Sequence, residues 1–260
     1  MCAIFGLGFM NGHKMRNSQL IQNYVRALFL QNMARGRTAS GLAYVSNSGI
    51  KVIKKDTFAK TFISLPEYSK VESECLTFDI SKSPISILGH CRQKTKGTEK
   101  NNKNNHPIIC GNVVGMHNGC ISNDDELFKI YSRMFSRNGE VDSEIIFALI
   151  NHFAKECSIH ESIQKMSSIV HGSFACAMVH EMHPHVIWLF RRYNPCDVML
   201  FEDVGLFSWA SNKEYIRAAT NSLSGGKVIQ FPQNSGMGID LHRNRIHRFT
   251  IEEPQHFVMY

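Results

Sequence analysis

The sequence predicts an α+β fold with largely antiparallel sheets. Strands occur in hairpin-like runs at both ends of the chain, helices are grouped in its middle, and strands and helices do not alternate regularly as a parallel βαβ repeat requires. No internal repeat, low-complexity tract or linker interrupts the pattern. We therefore predict one domain over 1–260, in which 221–260 forms the C-terminal strands.

The N-terminal part begins with a buried strand, CAIFGLGF, followed by a helix in SQLIQNYVRALFLQNMARG. Apolar residues recur in that helix at helical spacing, Ser18 can cap its start, and Gly36 is expected to end it. Two strands, SGLAYVS and GIKVIKK, follow, and a turn at Asn47, Ser48 and Gly49 joins them.

Two more buried strands, PISILGHC and GNVVGMHNG, enclose a long polar loop rich in lysine and asparagine. Helices are predicted next at DDELFKIYSRMF and DSEIIFALINHFAKE, whose acidic first residues suit a helix N-terminus, and a third from Ile159 to Ser168. The remainder is mostly strand, namely GSFACAMVHE, HVIWLFRR and DVMLFEDVGLFSWAS, then a helix from Lys213 to Leu223 and further strands to the C-terminus.

The composition, with 43% hydrophobic and 20% charged residues, is that of an ordered globular protein. No apolar run approaches the roughly 18 residues that a bilayer crossing needs, and no export signal precedes the first strand, which predicts a cytoplasmic protein without membrane contact.

The eight cysteines form no CxxC pair, so we expect reduced thiols. The net charge of +7 is spread along the chain without interleaved aromatic residues, which argues against nucleic-acid binding.

Cys2 directly follows the initiator methionine and precedes an apolar strand. Removal of Met1 would leave one residue carrying both a thiol and a free α-amine, and such an amine has a pKa of about 7.7 to 8.0. An amine of that pKa can act as a general base near neutral pH, so the thiol could be activated without a histidine. The alternative is that this cysteine occupies the second position by chance.

Other positions could complete an acyl-transfer site, and each also has a structural interpretation. Asn118 and Gly119 could donate hydrogen bonds to an oxyanion, although Asn-Gly is also a common turn. Arg92, at the end of a buried strand, could bind a carboxylate or form a structural salt bridge. Asp142 could receive an ammonium group or cap the helix that it opens. Combined with a thiol, these groups suit glutamine.

Several ordered motifs between Cys2 and about Thr220 resemble those of the class II glutamine amidotransferases, members of the N-terminal-nucleophile hydrolase superfamily. CAIFG is similar to the family's CGIVG, RGRTASG to RGxDxxG, GHCRQKTKG to its glutamine loop, NNHP to NxHP, HNGCISN to HNGxIxN, and DSE to a helix start written D(T/S)E. HGSFACAMV resembles the strand that follows. The resemblance implies a four-layer αββα sandwich, the N-terminal nucleophile hydrolase fold, in which two mostly antiparallel sheets pack face to face between helical layers.

The resemblance also assigns roles to single residues and implies no cofactor. The implied residues are Cys2, Asn118 and Gly119 as catalytic groups, Arg92, Thr95 and Asp142 as glutamine ligands, and Arg35 and His117 as supporting groups. Two positions depart from the family pattern: Thr38 replaces an aspartate, and Gln93 replaces a common aromatic residue. We interpret both as changes of loop support, of partner coupling or of substrate choice. No metal is expected, because the histidines of VHEMHPHV lack the HExxH spacing.

The implied activity is hydrolysis of the L-glutamine side-chain amide through a Cys2 thioester, which yields glutamate and ammonia. The residues after Thr220 are too few for a synthase and contain no P-loop or GxGxxG motif. The ammonia is therefore expected to reach a separate synthase or ligase subunit, or the protein is a stand-alone hydrolase. Two alternatives stay open: an amidohydrolase of this fold that acts on another amide, and a retired amidotransferase that serves as a binding or regulatory module.

Overall fold

The computed structural model describes residues 2–10, 18–76, 85–220 and 225–254. The strands in these ranges are β1 (Ala3–Phe9), β2 (Ala39–Ser46), β3 (Gly49–Lys55), β4 (Ser86–Arg92), β5 (Ile108–Cys110), β6 (Val113–Ile121), β7 (Gly172–His180), β8 (His183–Arg192), β9 (Asp197–Phe201), β10 (Leu206–Ala210), β11 (Lys227–Ile229), β12 (Ser235–Asp240) and β13 (Arg245–Thr250). The helices are α1 (Ser18–Asn32), α2 (Ala59–Phe62), α3 (Pro66–Cys75), α4 (Asp124–Ile130), α5 (Ser143–Phe153), α6 (Ile159–Ile169) and α7 (Lys213–Ala219).

The strands form two sheets, and every described strand pair is antiparallel. The 7-stranded sheet has the order β11-β9-β10-β1-β4-β2-β3, and the 6-stranded sheet has the order β13-β12-β8-β7-β6-β5. Five neighbouring pairs, β2-β3, β5-β6, β7-β8, β9-β10 and β12-β13, are consecutive along the chain with no α-helix between them, whereas β1 pairs with both β4 and β10, which are distant in sequence. The predicted antiparallel α+β fold is confirmed.

The core has three parts because side chains alternate between the two faces of a strand. Ile4 of β1 and Met116 of β6 belong to the layer between the sheets. On the outer face of the 7-stranded sheet, Phe5 packs with Phe29 of α1 and with residues of α2, α3 and α7. Phe147 of α5 belongs to the third cluster, which joins the 6-stranded sheet to α4, α5 and α6. This arrangement is the four-layer αββα sandwich.

Several predicted boundaries are wrong. Helix α1 ends at Asn32 rather than at Gly36, where a Cβ atom would lie 2.2 Å from the Cys91 carbonyl oxygen. Glycine is therefore required there by the close approach of β4, and it does not end the helix. The helices predicted to reach 135 and 156 end at Ile130 and Phe153.

Other predictions were incomplete or lie partly outside the described residues. The segment DVMLFEDVGLFSWAS is two strands, β9 and β10, joined by a 3-10 turn at Glu202–Val204. The helix predicted from Lys213 ends at Ala219, and 221–223 lie outside the described residues, as do 255–260 at the C-terminus. Helices α2 and α3 were not predicted.

All eight cysteines are free thiols, as expected. Among the described helices, none combines the length and the apolar character that a membrane crossing needs.

Candidate functional site

The register of β1 and β4 brings Cys2 opposite Arg92. Ala3 pairs with Cys91, and the same antiparallel register places Cys2, just before β1, across from Arg92. Ile4 projects between the sheets, and side chains two residues apart share a face. By this alternation the side chains of Cys2 and Arg92 both project into the space between the two sheets.

The Cys2 thiol is held by the main chain of the residue after Arg92. Its Sγ atom lies 3.3 Å from the N–H of Gln93, which donates to it, and 3.4 Å from the Gln93 carbonyl oxygen. Desolvation by the surrounding protein raises the pKa of the Cys2 thiol, while the Gln93 N–H and the Arg92 charge act in the opposite direction. The thiol therefore needs a base to become a nucleophile at neutral pH.

Arg35 contacts the main chain of Cys2 rather than its thiol. Its Nε–H donates to the Cys2 carbonyl oxygen at 3.1 Å. The supporting role predicted for Arg35 would therefore act through the main chain of Cys2.

Arg92 is buried, with 3% of its surface exposed, and its guanidinium contacts only neutral oxygens. It donates to Asn105 Oδ1 at 2.8 Å, to the Lys96 carbonyl at 2.7 Å and to the Gly97 carbonyl at 2.8 Å. No carboxylate in the described part of the chain forms a salt bridge with it, so the salt-bridge interpretation is wrong. Burial lowers the pKa of Arg92, because a buried cation without a counter-charge is unfavourable, and a bound carboxylate would compensate this charge.

The main-chain groups of β6 point alternately toward β7 and away from it. The Ser122 N–H donates to the His171 carbonyl, next to β7, so even-numbered residues direct their N–H groups toward β7. The Ile121 N–H instead donates to Asp142 Oδ2 at 2.7 Å, on the opposite side. Odd-numbered residues near this end of β6 therefore direct their N–H groups to the side away from β7.

Gly119 belongs to this odd-numbered set. Another member is His117, whose carbonyl oxygen lies 3.0 Å from His90 Nε2 of β4. A Cβ atom at Gly119 would lie 2.0 Å from the Ser173 carbonyl oxygen, so only glycine fits. Its N–H points to the same open side of β6 as the His117 carbonyl, beyond Ile108, the first residue of β5.

Asn118 projects between the sheets, because it shares a strand face with Met116 of the inter-sheet layer. The residue is 1% exposed, and its Nδ2 group has no hydrogen-bond partner within the described ranges. A buried donor without a partner costs about 1–3 kcal/mol, which a ligand oxygen could recover. The turn interpretation is wrong, since Asn118 and Gly119 both lie inside β6.

Asp142 immediately precedes α5 but does not cap it with its side chain. Its Oδ2 accepts from Ile121 N–H instead, so the capping interpretation is wrong. The carboxylate is buried and near enough to Cys2 to raise the pKa of the thiol. One of its two oxygens thus binds the end of β6, on the side to which the Gly119 N–H points.

Thr95 lies exposed on the loop after β4, and contacts on both sides hold this loop in place. Lys96 Nζ donates to Asp124 Oδ2 at 2.6 Å, and Asp124 also pairs with Arg137 at 2.8 Å. Farther along, Asn104 Nδ2 donates to the Thr98 carbonyl at 2.8 Å. The loop is therefore fixed close to Arg92.

His117 lies on the helical side of β6 rather than between the sheets. Its Nδ1 is 2.8 Å from Ser143 Oγ at the start of α5, and burial lowers the pKa of His117. This ring links β6 to α5, and the supporting role of His117 stays a prediction. In the described ranges no group of three or more His, Cys, Asp or Glu is arranged to hold a metal ion.

Sequence reasoning missed residues that contact the predicted ones. Asn194 Nδ2 donates to the Asn118 carbonyl at 2.7 Å, and Asn105 binds Arg92. Asn105 stands in the NNHP motif, which could have directed attention to it. No sequence signal marks Asn194, because its contact depends on how the segment after β8 turns.

Comparison with known proteins gives a consistent result. A family described as "Glutamine amidotransferase domain" matches residues 90–218, about half of the chain. The glutamine–fructose-6-phosphate aminotransferase (isomerizing) of Staphylococcus aureus strain Mu50 is 30% identical over 164 residues, which cover 62% of this chain and 25% of that protein. The enzyme of the same name from Streptococcus mutans is 28% identical over 158 residues, 60% of this chain and 26% of that protein. The chain thus spans about a quarter of the length of these relatives.

Two solved structures share the fold over 96% of this chain. One, titled as the allosteric regulatory enzyme of purine biosynthesis, has a TM-score of 0.71 at 15% identity and is covered over 49% of its chain. The other is the glutamine phosphoribosylpyrophosphate amidotransferase of B. subtilis complexed with ADP and GMP, with a TM-score of 0.67 at 14% identity and 49% coverage of its chain. At such identities the likeness concerns the fold.

Proposed function

Because the chain contains a glutamine amidotransferase domain of the class II type, we propose that it hydrolyses the side-chain amide of L-glutamine. Glutamate and ammonia would be the products, with Cys2 as the nucleophile. The observation that carries the proposal is that three groups face the space between the sheets: the Cys2 thiol, the Asn118 amide, whose Nδ2 has no partner among the described residues, and the Arg92 cation, which forms no salt bridge with them.

The proposed substrate pose follows from the charges at the site. The α-carboxylate of glutamine would bind Arg92, and its α-ammonium group would bind Asp142. Thr95 and Gly119 would line the pocket between them. The side-chain amide would then lie at Cys2, with its carbonyl oxygen directed to Asn118 Nδ2 and the Gly119 N–H.

The proposed reaction begins with the free α-amine of Cys2, after removal of Met1, which lies outside the described residues. The amine accepts the thiol proton, and the sulfur attacks the amide carbon. The resulting oxyanion is bound by Asn118 and Gly119 until the C–N bond breaks and the α-ammonium group returns the proton to the leaving ammonia. Water then hydrolyses the thioester, giving glutamate and the free thiol.

We propose further that a separate synthase or ligase subunit uses the ammonia, and that the protein acts in the cytoplasm, where free thiols persist. The acceptor and the final product are not specified by the glutamine site itself.

The test is glutamate release from glutamine by protein whose intact mass shows loss of Met1, compared with Cys2→Ala. We expect release by the wild-type protein alone and none by the variant. A substrate panel of other amides separates glutaminase activity from a different amidohydrolase. Failure to release glutamate, with every candidate partner added, would favour the retired amidotransferase instead.

A further inference from the structure

Asn194 is bound to the peptide group that joins Asn118 to Gly119. Its Nδ2 group donates to the Asn118 carbonyl oxygen at 2.7 Å. Because a carbonyl oxygen can only accept, the amide of Asn194 must present its nitrogen here, which fixes its orientation. Asn194 follows β8, and neither the sequence motifs nor the proposed mechanism uses it.

The carbonyl of Asn118 and the N–H of Gly119 belong to one planar peptide unit. In a trans peptide these two groups point in opposite directions, so a bond that fixes one also fixes the other. The Gly119 N–H points to the open side of β6, where the oxyanion is proposed to form. A donor on the carbonyl also polarises the peptide and strengthens its N–H as a donor.

The segment that carries Asn194 is held in an uncommon conformation. The Asn194 N–H donates to the Arg192 carbonyl at 2.8 Å across Tyr193, whose φ is +65°, in the region that favours glycine. Such a conformation is unfavourable for a residue with a side chain and persists only where surrounding contacts enforce it. Here Tyr193 donates to Glu253 Oε1 at 2.6 Å, and the buried Arg192 donates to the Val170 carbonyl at 2.8 Å.

We propose that Asn194 is a positioning residue for the oxyanion site, which orients and polarises the Gly119 N–H through the Asn118 carbonyl. The proposal rests on the proposed function for its role in glutamine hydrolysis. Asn194 contacts neither end of the substrate in the proposed pose. Its loss should therefore lower kcat while the KM for glutamine stays nearly unchanged.

Two reactions of Cys2 test the role without glutamine. p-Nitrophenyl acetate acetylates the thiolate through a tetrahedral oxyanion and releases p-nitrophenolate, leaving a thioester. Iodoacetamide alkylates the same sulfur by displacing iodide, and no oxyanion forms. Mass spectrometry of the N-terminal peptide separates Cys2 from the other cysteines, and the ratio of the two rates reports the oxyanion site alone.

We expect Asn194→Ala to lower the acetylation rate of Cys2 by at least about tenfold and to change its alkylation rate by less than about twofold. Asn194→Asp, which places an acceptor against the Asn118 carbonyl, should act at least as strongly. Asn151→Ala is the matched control, since Asn151 Oδ1 accepts from the Asn112 N–H, just before the other end of β6. That variant should keep the wild-type ratio.

An unchanged ratio in Asn194→Ala, with the fold intact by circular dichroism, would overturn the positioning role. Equal losses of acetylation and alkylation would also overturn it, because they indicate general damage around the thiol. If wild-type protein acetylates at Cys2 but releases no glutamate from glutamine, the proposed function fails while the ratio still decides the role of Asn194.

Discussion

Thr38 binds the carbonyl oxygen of Arg92 twice, through its N–H and through its hydroxyl, each at 2.9 Å. The family pattern commonly has aspartate at this position. An ionised aspartate only accepts hydrogen bonds, so it could not replace the bond that the Thr38 hydroxyl donates. Thr38 therefore supports the main chain at the residue proposed to bind the substrate carboxylate, and Gln93, the other departure, holds the Cys2 thiol through its main chain.

Thr38→Val should weaken this support while Thr38→Ser retains it. One neutral hydrogen bond contributes about 0.5–1.5 kcal/mol, so we expect a loss of that size in the free energy of unfolding. The KM for glutamine should rise several-fold, and kcat should change less. Urea unfolding and steady-state kinetics of both variants measure this, and equal behaviour of the valine and serine variants would contradict it.

Asn118→Ala should remove one proposed oxyanion donor, Nδ2, without breaking a hydrogen bond of that group to any described residue. We expect kcat to fall by about 10²–10³, with little change in KM or in the melting temperature, because Asn118 Nδ2 has no hydrogen-bond partner among the described residues. Asn118→Asp keeps the shape and removes the donor, so it should lose a similar factor. A large fall in melting temperature with normal kcat would show that the amide is structural.

Arg92→Met should reduce the preference of the enzyme for glutamine over glutamine α-amide, a substrate that lacks the α-carboxylate. Hydrogen bonds to charged groups contribute about 1.5–3 kcal/mol, so the ratio of kcat/KM values for the two substrates should fall at least about tenfold. Arg92 also holds the loop after β4, so its replacement disturbs the binding of both substrates in the same way. The ratio of the two kcat/KM values cancels that shared effect and reports the contact with the carboxylate. Arg92→Lys, with the charge but not the planar fork, should show an intermediate ratio. A ratio unchanged in both variants would place the carboxylate elsewhere.

Stability should fall in mild acid because buried histidines are kept neutral. Burial lowers the pKa of His90 to about 3 and that of His106 well below its usual value, and the two rings stack with centroids 4.0 Å apart. The unfolded chain binds protons near pH 6.5 and the folded chain does not, so this stability is complete above pH 6.5 and is lost as the pH falls from there toward 3.

The limiting slope is about 1.4 kcal/mol per pH unit for each such histidine. Urea unfolding between pH 7 and pH 5 measures it, and His90→Asn, whose side chain does not titrate, should reduce the slope relative to wild type. An identical slope in the variant would mean that His90 does not contribute.

Much of the site was predictable because strands obey a period of two. Once β1, β4 and β6 are recognised, alternation alone puts Cys2, Arg92 and Asn118 on the face between the sheets. The contacts of Asn194 and Asn105 were not predictable, since each depends on a loop crossing from another element.

The same limit explains the errors along the chain. The capping alternative for Asp142 is wrong because the end of β6, distant in sequence, takes its carboxylate. Helix α3 begins with Pro66 followed by Glu67, a recognisable start signal, but its apolar stripe is too weak to predict the helix. A contact distant in sequence thus decides the role of Asp142, whereas a weak local pattern hides α3.

Because side chains alternate along β1, moving the cysteine by one residue in the sequence would turn its sulfur to the opposite face of the sheet. A chain with Cys2→Ala and Ala3→Cys would keep its composition, yet the transplanted thiol would turn toward α1 and the aromatic rings of Phe5 and Phe29. Only a shift of two positions would restore the facing direction, and it would carry the sulfur about 7 Å along the strand. The position of the nucleophile is thus determined by which face of the strand its side chain projects from, as well as by its distance along the strand.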